Sequence, residues 1–430
     1  MITLRKILPT RKRIWALWTV TGLFMCALAS CGPTKLTISH ANLKPNGAPA
    51  TPTLVDPGTD IKTWENTKRP QLQSELQKSV YGFLPDASST RTLAHEVLDP
   101  NAYDGLGTIE EYTLQATATF KGTSTETSPF KMVVVTPNTS GPHPVILMES
   151  FCPNHNTVDH PKVSRNAEGF SCDGGGVTSK IMLYVFGRYI STPPMEMILQ
   201  DGYAFATIFP SEYVPDSPDA GLAALKNLSP DYENEETRWG AIAAWAWGYS
   251  RMIDTLEQDP RFKNIWIPYG HSRYGKAALV AGAFDPRVSA VIAHQSGTGG
   301  ASLNRRKKGE TVKEITDTFP HWFSKTYAAS AGKEAKMTSD QHALLALNAP
   351  NPIFLGNARR DVWSDPNGAF RAAQGASPAY NIYKKQGLKQ DGLKPYHPDA
   401  DISFYIRPGT HGVVKEDWPA FLEFLDAHFK

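Results

Sequence analysis

Cysteine is rare in this chain and neither sign of charge is in excess, and each of these facts excludes a class of function. Only 4 of the 430 residues are cysteine, and none has the spacing of a zinc site. The 44 lysines and arginines nearly match the 42 aspartates and glutamates, so the formal net charge is only +2. This balance gives no electrostatic reason to expect a nucleic acid as partner, and the basic run at 305–308 is interpreted as a solvated surface segment. Neither a metal nor an organic cofactor is implied.

The chain is also short of long apolar runs. The run at its amino end, Ile14 to Ala29, falls below the roughly 20 residues that a comfortable membrane span needs. Basic residues precede this run and Leu28-Ala29-Ser30-Cys31 closes it, an order typical of a bacterial lipoprotein signal rather than a transmembrane anchor. We therefore predict that residues 1–31 are a signal peptide and that lipidated Cys31 becomes the mature amino terminus. The lipid would anchor the exported protein to a bacterial membrane, on the periplasmic or cell-surface side.

The chain after this leader divides into two parts. Residues 32–60 are rich in proline, threonine, asparagine and glycine without apolar periodicity, which predicts a flexible linker. Residues 61–430 show no internal repeat or second linker, so a single domain is predicted. This domain contains two cysteines, Cys152 and Cys172. The sequence leaves open whether they form a disulfide or remain two separate thiols.

The most informative motif lies at residues 265–282, which are predicted to form a strand, a sharp turn and a helix. Ser272 stands on the turn, where its hydroxyl would project above the sheet and its N–H would lie at a helix N-terminus. Gly270 permits the close approach of strand and helix, but the glycine usual at position +2 is replaced by Tyr274, and Gly275 follows one position later. The motif is G-x-S-R-x-G-K rather than G-x-S-x-G, and it predicts a nucleophile elbow.

An acid and a histidine follow Ser272 in the order that such an elbow requires. Asp361 lies just beyond a predicted strand at 351–357, and His411 follows a predicted last strand at 402–406. A serine hydroxyl is a weak nucleophile until a histidine takes its proton, and a carboxylate orients the imidazole and stabilises its charged form. Taken singly, Asp361 could cap a helix and His411 could be a loop histidine. Together with Ser272 they predict a serine hydrolase.

The rest of the chain has the pattern of an α/β fold. Further strands are predicted at 144–149, 203–209 and 288–293, and helices between 239 and 256 and from 416 to 428. Strands that alternate with helices indicate a mostly parallel central sheet covered on both faces, the three-layer sandwich of an α/β-hydrolase fold. The segment from 150 to about 194 is too long for an ordinary connection. It is interpreted as an insertion over the carboxyl end of the sheet, where ligands bind.

Several further motifs occur in order between about residue 60 and residue 430. They are the stretch 64–70, Val80-Tyr81-Gly82, Trp245-Ala246-Trp247-Gly248, the elbow itself, Ser296-Gly297-Thr298-Gly299-Gly300, Arg305-Arg306 with Gly309-Glu310-Thr311, Phe319-Pro320-His321-Trp322-Phe323, Asp361-Val362-Trp363-Ser364-Asp365-Pro366, and His411-Gly412 with Glu416-Asp417-Trp418. Together they resemble the bacterial glucuronoyl esterases, a family of carbohydrate esterases with the α/β-hydrolase fold.

Members of that family cut the ester between a glucuronic acid branch of xylan and a lignin alcohol. The resemblance therefore implies a 4-O-methyl-glucuronoyl methylesterase, with glucuronic acid esters on xylan or a related polysaccharide as substrates. It implies Ser272 as nucleophile, His411 as general base and acid, and Arg273 as a side-chain contributor to the oxyanion site. A cationic donor beside the nucleophile suits that last role because it stabilises the developing negative oxygen. The alternative for Arg273 is a structural salt bridge.

The resemblance also places Lys276, Glu310 and Trp363 where the family holds the hydroxyl groups and ring of the sugar. The chemistry fits, since charged groups bond strongly to hydroxyls and an aromatic face suits a pyranose. Ordinary surface or packing roles are the alternatives, and packing is the main one for Trp363.

One position departs from the family pattern. Many members carry a catalytic glutamate where this chain has Gln295. A glutamine can hold an imidazole by a hydrogen bond but cannot stabilise its positive form. We therefore expect Asp361 to be the acid, with Gln295 as a supporting residue of the substrate site. Asp365 ranks second as the acid because Asp-Pro more often begins a turn.

Two other functions stay open at this point. Another carboxylesterase on the same fold, such as an acetyl xylan esterase, is the first alternative, since the missing glutamate could signal a changed specificity. A carbohydrate-binding lipoprotein without catalysis is the second, and the presence of Ser272, Asp361 and His411 together argues against it.

Overall fold

The computed structural model describes residues 51–165, 186–234 and 238–430. The strands in these ranges are β1 (Ala87–Ala102), β2 (Gly107–Phe120), β3 (Thr123–Glu126), β4 (Phe130–Pro137), β5 (His143–Glu149), β6 (Ala204–Ile208), β7 (Phe262–His271), β8 (Val291–His294), β9 (Ile353–Ala358) and β10 (Ile402–Arg407). They form one sheet in the order β1-β2-β4-β6-β5-β7-β8-β9-β10, with β3 paired to β2.

The sheet has a parallel part and an antiparallel part. Strands β6, β5, β7, β8, β9 and β10 are parallel neighbours. Strands β1 to β4 pair antiparallel, and β4 joins them to β6. All six parallel strands overlap the predicted ones. The antiparallel edge was not predicted. Its strands β1 and β2 carry many threonines and charged residues, and β1 is largely exposed.

Helices lie on both faces of the sheet. Their bounds are α1 (Ile61–Thr63), α2 (Arg69–Leu76), α3 (Asn154–Thr157), α4 (Met195–Gln200), α5 (Pro218–Leu228), α6 (Ala241–Leu256), α7 (Arg273–Phe284), α8 (Val312–Thr318), α9 (Lys325–Ala329), α10 (Gln341–Ala346), α11 (Pro366–Ile382) and α12 (Asp417–Phe429). Single 3₁₀ turns occupy Arg188–Ile190, Pro210–Glu212 and Glu334–Lys336, and π-helical turns occupy Trp64–Lys68 and Gln77–Tyr81.

Each face of the sheet has its own apolar core. The larger core holds α6, α7, α10 and α11 and includes the buried side chains of Trp245 and Trp322. The other core holds α4 and α12, with Trp418 and Phe421 packed on the strands. This arrangement confirms the three-layer α/β-hydrolase sandwich. It also places the ends of β7, β8, β9 and β10 side by side at the carboxyl edge of the sheet.

The amino-terminal predictions fall mostly outside the described residues. The leader, Cys31 and residues 32–50 all lie there, whereas residues 51–60, at the end of the predicted linker, contact the domain. Leu54 is buried, and the carbonyl of Pro52 lies 2.8 Å from Nε2 of His342. In the described ranges no helix is long and apolar enough to cross a membrane.

Cys152 takes part in a disulfide bond, which answers the question left open for this thiol. Cys172, the other cysteine of the domain and one that the sequence left open as a partner, lies outside the described residues. Cys152 is buried just after β5, and its Sγ is 3.2 Å from Oγ of Ser191. Cys152 itself lies near the start of the long insertion that was predicted from 150 to about 194.

Candidate active site

Ser272 stands between β7 and α7 with a backbone conformation that is rare outside glycine. Its φ is 55° and its ψ −118°, and its N–H donates to the carbonyl of His294 at 2.8 Å. Such a strained residue persists only where its surroundings fix it, and strain of this kind clusters at functional sites. The predicted elbow is therefore present, with a half-buried serine at the carboxyl end of the central strand.

The geometry of the turn explains why the glycines of the motif are spaced as they are. A Cβ on Gly270 would lie 2.1 Å from the carbonyl oxygen of Tyr274, and a Cβ on Gly275 would lie 2.9 Å from that of Gly270. Tyr274 tolerates the intervening position because its ring is buried, 5.3 Å from that of Trp245 in an edge contact. Close backbone contact thus falls at +3 in this elbow, and glycine is needed there.

His411 lies beside the elbow and is held by Asp361. Its Nδ1 is 2.8 Å from Oδ2 of Asp361, and its ring centroid is 4.5 Å from that of His271, the residue before the serine. Burial alone would raise the pKa of Asp361, but the charge of His411 and hydrogen bonds from His411 and Ser364 outweigh it and lower the pKa. Asp361 is therefore a buried, ionised carboxylate directed at the imidazole.

Asp365, the second-ranked acid, has a different role. Its side chain accepts a hydrogen bond from the N–H of Gly368 at 3.0 Å and caps the amino end of α11. The hydroxyl of Ser364, in the same turn, lies 3.4 Å from Nδ1 of His411. Of the two candidate acids, only Asp361 is hydrogen-bonded to the histidine in the described residues.

The side chain of Gln295 contacts the backbone of the loop that carries His411, and it does not contact the imidazole ring. Its Nε2 donates to the carbonyl of Thr410 at 3.1 Å, and its Oε1 accepts from the N–H of Gly412 at 2.7 Å. Both polar atoms of this buried amide are thus engaged on the two sides of His411. This geometry differs from the expectation that the amide holds the imidazole ring.

Arg273 forms an ion pair whose partner the sequence did not indicate. Its Nη1 donates to Oδ2 of Asp216, whose other oxygen lies 3.1 Å from Nε2 of His321 and accepts from the indole of Trp322 at 2.7 Å. Burial would raise the pKa of Asp216, but these hydrogen bonds and the arginine charge outweigh it and lower the pKa. The salt-bridge alternative for Arg273 is therefore present in the structure.

The same ion pair leaves part of the guanidinium available. Nε of Arg273 is buried without a hydrogen-bond partner among the described residues, and the guanidinium carbon lies 4.7 Å from the ring centroid of Phe151. Asp216 and Phe151 thus fix the group while one N–H stays unpaired. No local motif announces Asp216, which lies 57 residues before Arg273 in the chain.

Lys276 is buried one turn into α7, on the side of the elbow that faces Glu310. Its Nζ donates to the carbonyl of Ser296 and lies 5.9 Å from the ring centroid of Trp322. Burial lowers the pKa of this ammonium to about 8, against the opposing effect of Glu310. Such a group is poised to bond a polar ligand, since it lacks the water that a surface lysine has.

Glu310 and Trp363 come from two loops that are joined by their backbones. The N–H of Glu310 donates to the carbonyl of Trp363 at 2.8 Å, and a Cβ on Gly309 would lie 2.2 Å from that same oxygen. Burial raises the pKa of Glu310, although Lys276, Lys307 and a hydrogen bond from the Trp363 side chain oppose the shift. Trp363 is half-buried and hydrogen-bonded to the carboxylate, so packing is not its whole role.

The site thus combines a serine, a histidine and a carboxylate with an adjacent cluster of a buried lysine, a half-buried glutamate and an indole. The first set has the residues and order of an acyl-transfer centre, and the second has groups that bond hydroxyls. The described residues contain no group of three or more side chains suited to hold a metal ion.

Comparisons with known proteins agree with this chemistry. A family model described as "Glucuronyl esterase, fungi" matches residues 231–387, a span that includes Ser272 and Asp361 and ends before His411. A carbohydrate esterase of an unknown prokaryotic organism is 32% identical over 384 residues, which cover 86% of each chain. The 4-O-methyl-glucuronoyl methylesterase of Hypocrea jecorina (strain QM6a) is 36% identical over 167 residues, 36% of each chain.

Solved structures extend the likeness to almost the whole domain. A glucuronoyl esterase from Solibacter usitatus superposes with a TM-score of 0.74 at 30% identity, covering 89% of this chain and all of the other. A promiscuous CE15 esterase from a marine bacterial metagenome superposes with a TM-score of 0.76 at 29% identity, covering 91% and 99%. The likeness confirms the resemblance found in the motifs.

Proposed function

This chain belongs to the glucuronoyl esterase family of carbohydrate esterases, and on that premise we propose that Ser272, His411 and Asp361 hydrolyse glucuronate esters through an acyl-enzyme. The enzyme is a carboxylic ester hydrolase with glucuronoyl esterase function. The observation that supports the residue assignment best is the 2.8 Å contact between Asp361 and Nδ1 of His411, whose ring lies 4.5 Å from that of His271, the residue before the strained Ser272.

The proposed acylation step uses the three residues as follows. Asp361 keeps the proton of His411 on Nδ1, which leaves Nε2 free to take the proton of the Ser272 hydroxyl. The Ser272 oxygen forms a bond to the ester carbonyl carbon, and a tetrahedral oxyanion develops. His411 then returns the proton to the departing alcohol as the carbon–oxygen bond breaks. A water molecule repeats the sequence on the acyl-enzyme and releases the uronic acid.

We assign stabilisation of the oxyanion to Arg273. Its backbone N–H belongs to the first residue of α7, and the N–H groups of a first helical turn have no intrahelical partner. Its buried Nε also has no hydrogen-bond partner among the described residues. A donor at such a position contributes on the order of 3 kcal/mol to transition-state stabilisation in other acyl-transfer enzymes. The ion pair with Asp216 supports this role because it fixes the guanidinium beforehand.

We assign recognition of the sugar to Lys276, Glu310 and Trp363. An ammonium and a carboxylate in a dry site donate to and accept from neighbouring hydroxyls, and the indole edge or face covers the ring. An acetyl group would make no use of such a cluster, so this geometry favours the uronate ester over an acetyl ester. The alcohol side is proposed to be a lignin-type alcohol, as the family resemblance implies.

The experiment that tests the proposal compares two esters. The chain without its predicted leader should hydrolyse benzyl glucuronate, and it should prefer this ester to acetylated xylan in kcat/KM by about tenfold or more. Ser272→Ala should remove both activities. A preference for acetyl groups would instead identify an acetyl esterase, and binding of glucuronate without turnover of either ester would indicate a carbohydrate-binding protein.

Export and lipid anchoring are proposed from the amino-terminal sequence. The basic residues, the apolar run and Cys31 support a lipoprotein that works outside the cytoplasm on polysaccharide. Growth of an expressing bacterium with labelled palmitate should label the wild-type protein and not Cys31→Ser. Equal labelling of both proteins, or of neither, would contradict the anchor.

A further inference from the structure

One buried amide holds the backbone on both sides of His411. Nε2 of Gln295 donates to the carbonyl of the preceding residue, Thr410, at 3.1 Å. Its Oε1 accepts from the N–H of the following residue, Gly412, at 2.7 Å. Gln295 is 1% exposed, so water does not compete for either bond.

The backbone of Gln295 is itself fixed in an uncommon conformation. Its φ is 50°, in the left-handed region, and its N–H donates to the carbonyl of Gly356 on β9 at 2.8 Å. A left-handed conformation is costly for a residue with a side chain and persists only when its neighbours determine it. The side chain is therefore presented to the His411 loop from a rigid position at the end of β8.

The loop is also held from the opposite direction. The carbonyl of Gly412 accepts from Nη2 of Arg407 at 2.7 Å and lies 3.1 Å from Nε2 of His294. Arg407 is in turn fixed by Asp417, whose two carboxylate oxygens lie 2.8 and 3.0 Å from its Nε. The peptide groups on either side of His411 are thus fixed, and Asp361 orients the ring that remains.

A neutral amide satisfies both contacts of this clamp, whereas an ionised carboxylate does not. Gln295 must donate at one atom and accept at the other, and a carboxylate can only accept. An ionised glutamate at this position would still accept from Gly412, but it would place an oxygen against the carbonyl of Thr410. An unmade bond and a repulsive contact would then act on the peptide that leads into His411.

We propose that Gln295 is a positioning residue of the reaction, a two-sided amide clamp that sets the place of His411 and requires a neutral group. The proposal rests on the proposed role of His411 as general base. It assigns the glutamine a role of its own, in which it does not stand in for a carboxylate that serves the imidazole.

The pH dependence of Gln295→Glu tests the proposal. A protonated glutamate has one donor and one acceptor, like the amide, and burial raises the pKa of a carboxyl group. The ratio of variant to wild-type kcat on benzyl glucuronate should therefore rise as the pH falls. We expect a loss of about tenfold near pH 8 that shrinks to about twofold near pH 5, with KM changed less than about twofold.

Dividing the kcat of the variant by that of the wild type at each pH cancels the effects of groups that titrate equally in both proteins. The titratable or charged groups that face Gln295 and the loop it clamps are His411, Asp361, His271, His294, Lys276, Arg407 and Asp417. A ratio that is constant with pH, or that rises with pH, would overturn the proposal. The second outcome would mean that a carboxylate at this position assists the imidazole.

Two further arms separate this inference from its alternatives. Gln390→Glu makes the same change at another buried glutamine, which donates to the carbonyl of Gly392 at 3.0 Å, and its kcat ratio should stay near one at each pH. In an Asp361→Asn background, adding Gln295→Glu should restore no activity. Restoration would overturn the clamp and assign position 295 an acid role.

A failure of the proposed serine mechanism would be visible in the activity of a different variant. Undiminished hydrolysis by Ser272→Ala would overturn the serine mechanism whatever the pH ratio of Gln295→Glu. If Gln295→Glu does not fold, Gln295→Met removes both polar atoms without charge and should lower kcat about tenfold at every pH. A folded Gln295→Met protein with the wild-type kcat would overturn the clamp.

Discussion

The two regions of the cleft differ in how their charged groups are satisfied. At the ends of β7, β9 and β10, Asp361 is ionised and already hydrogen-bonded to His411, above a serine fixed by its own backbone. Beside them, burial lowers the pKa of Lys276 to about 8 and raises that of Glu310. The first region is assembled in the free protein, whereas the second holds charges whose cost of burial a bound ligand would reduce.

This difference separates the two kinds of effect that substitutions should have. A preassembled catalytic group acts on the transition state, so its loss should appear in kcat. A partly unsatisfied recognition group gains its partners when the sugar binds, so its loss should appear mainly in KM.

The largest effect is expected for Ser272→Ala. Removal of the nucleophile should lower kcat on benzyl glucuronate by about 10⁴-fold or more, while leaving the recognition region intact. Calorimetric binding of glucuronate should therefore stay within about threefold of the wild-type affinity. Loss of binding together with turnover would show that the two regions are not separate.

The next effect is expected for Asp361→Asn, at about 10²- to 10⁴-fold in kcat, because an amide neither fixes the imidazole tautomer nor stabilises its charge. Asp365→Asn is the matched control, since it alters a helix cap four residues away. Because asparagine caps a helix about as well as aspartate, the control should keep stability within about 0.5 kcal/mol and kcat within about threefold. Reversed results would transfer the acid role to Asp365.

A smaller loss, about 10²-fold in kcat with little change in KM, is expected for Arg273→Gln. Asp216→Asn should act in the same direction by about tenfold, since the guanidinium stays but loses its fixed partner. Steady-state kinetics on benzyl glucuronate measure both. An increase confined to KM in Arg273→Gln would place this arginine in the recognition region and contradict its oxyanion role.

The smallest effect is expected for Lys276→Met, an increase of about tenfold in KM with kcat nearly kept. Because the pKa of Lys276 is lowered to about 8, its ammonium loses its proton as the pH rises through that value. The KM of the wild-type enzyme should therefore increase above about pH 8, whereas that of the variant should not. A matching increase in both proteins would assign the titration to another group.

The sequence predicted those parts of the fold that depend on local pattern. The parallel strands are continuous apolar runs buried on both faces, and they were found within a few residues. The elbow was found despite Tyr274, because glycine and serine spacing reports the tight turn directly. At the antiparallel edge, β1 and β2 were missed because they mix threonines and charged residues, and their pairing with each other and with β4 identifies them.

At the site, the sequence supplied the residues but not all of their partners. It ranked Asp361 before Asp365, and the cap on α11 gives the physical reason. It placed Gln295 beside His411 but assigned it to the ring, because no local pattern shows which atoms an amide will meet. Asp216 could not be predicted at all, since its contact with Arg273 joins two distant loops.

By itself, the sequence determined the serine, histidine and acid order, the layered fold and the family, because these depend on short-range spacing of residue types. Only the tertiary structure decided which carboxylate meets the imidazole, that Asp216 fixes Arg273, and that Gln295 clamps the backbone around His411. Those contacts join the ends of different strands and loops, and their hydrogen bonds depend on distances that the order of residues along the chain does not contain.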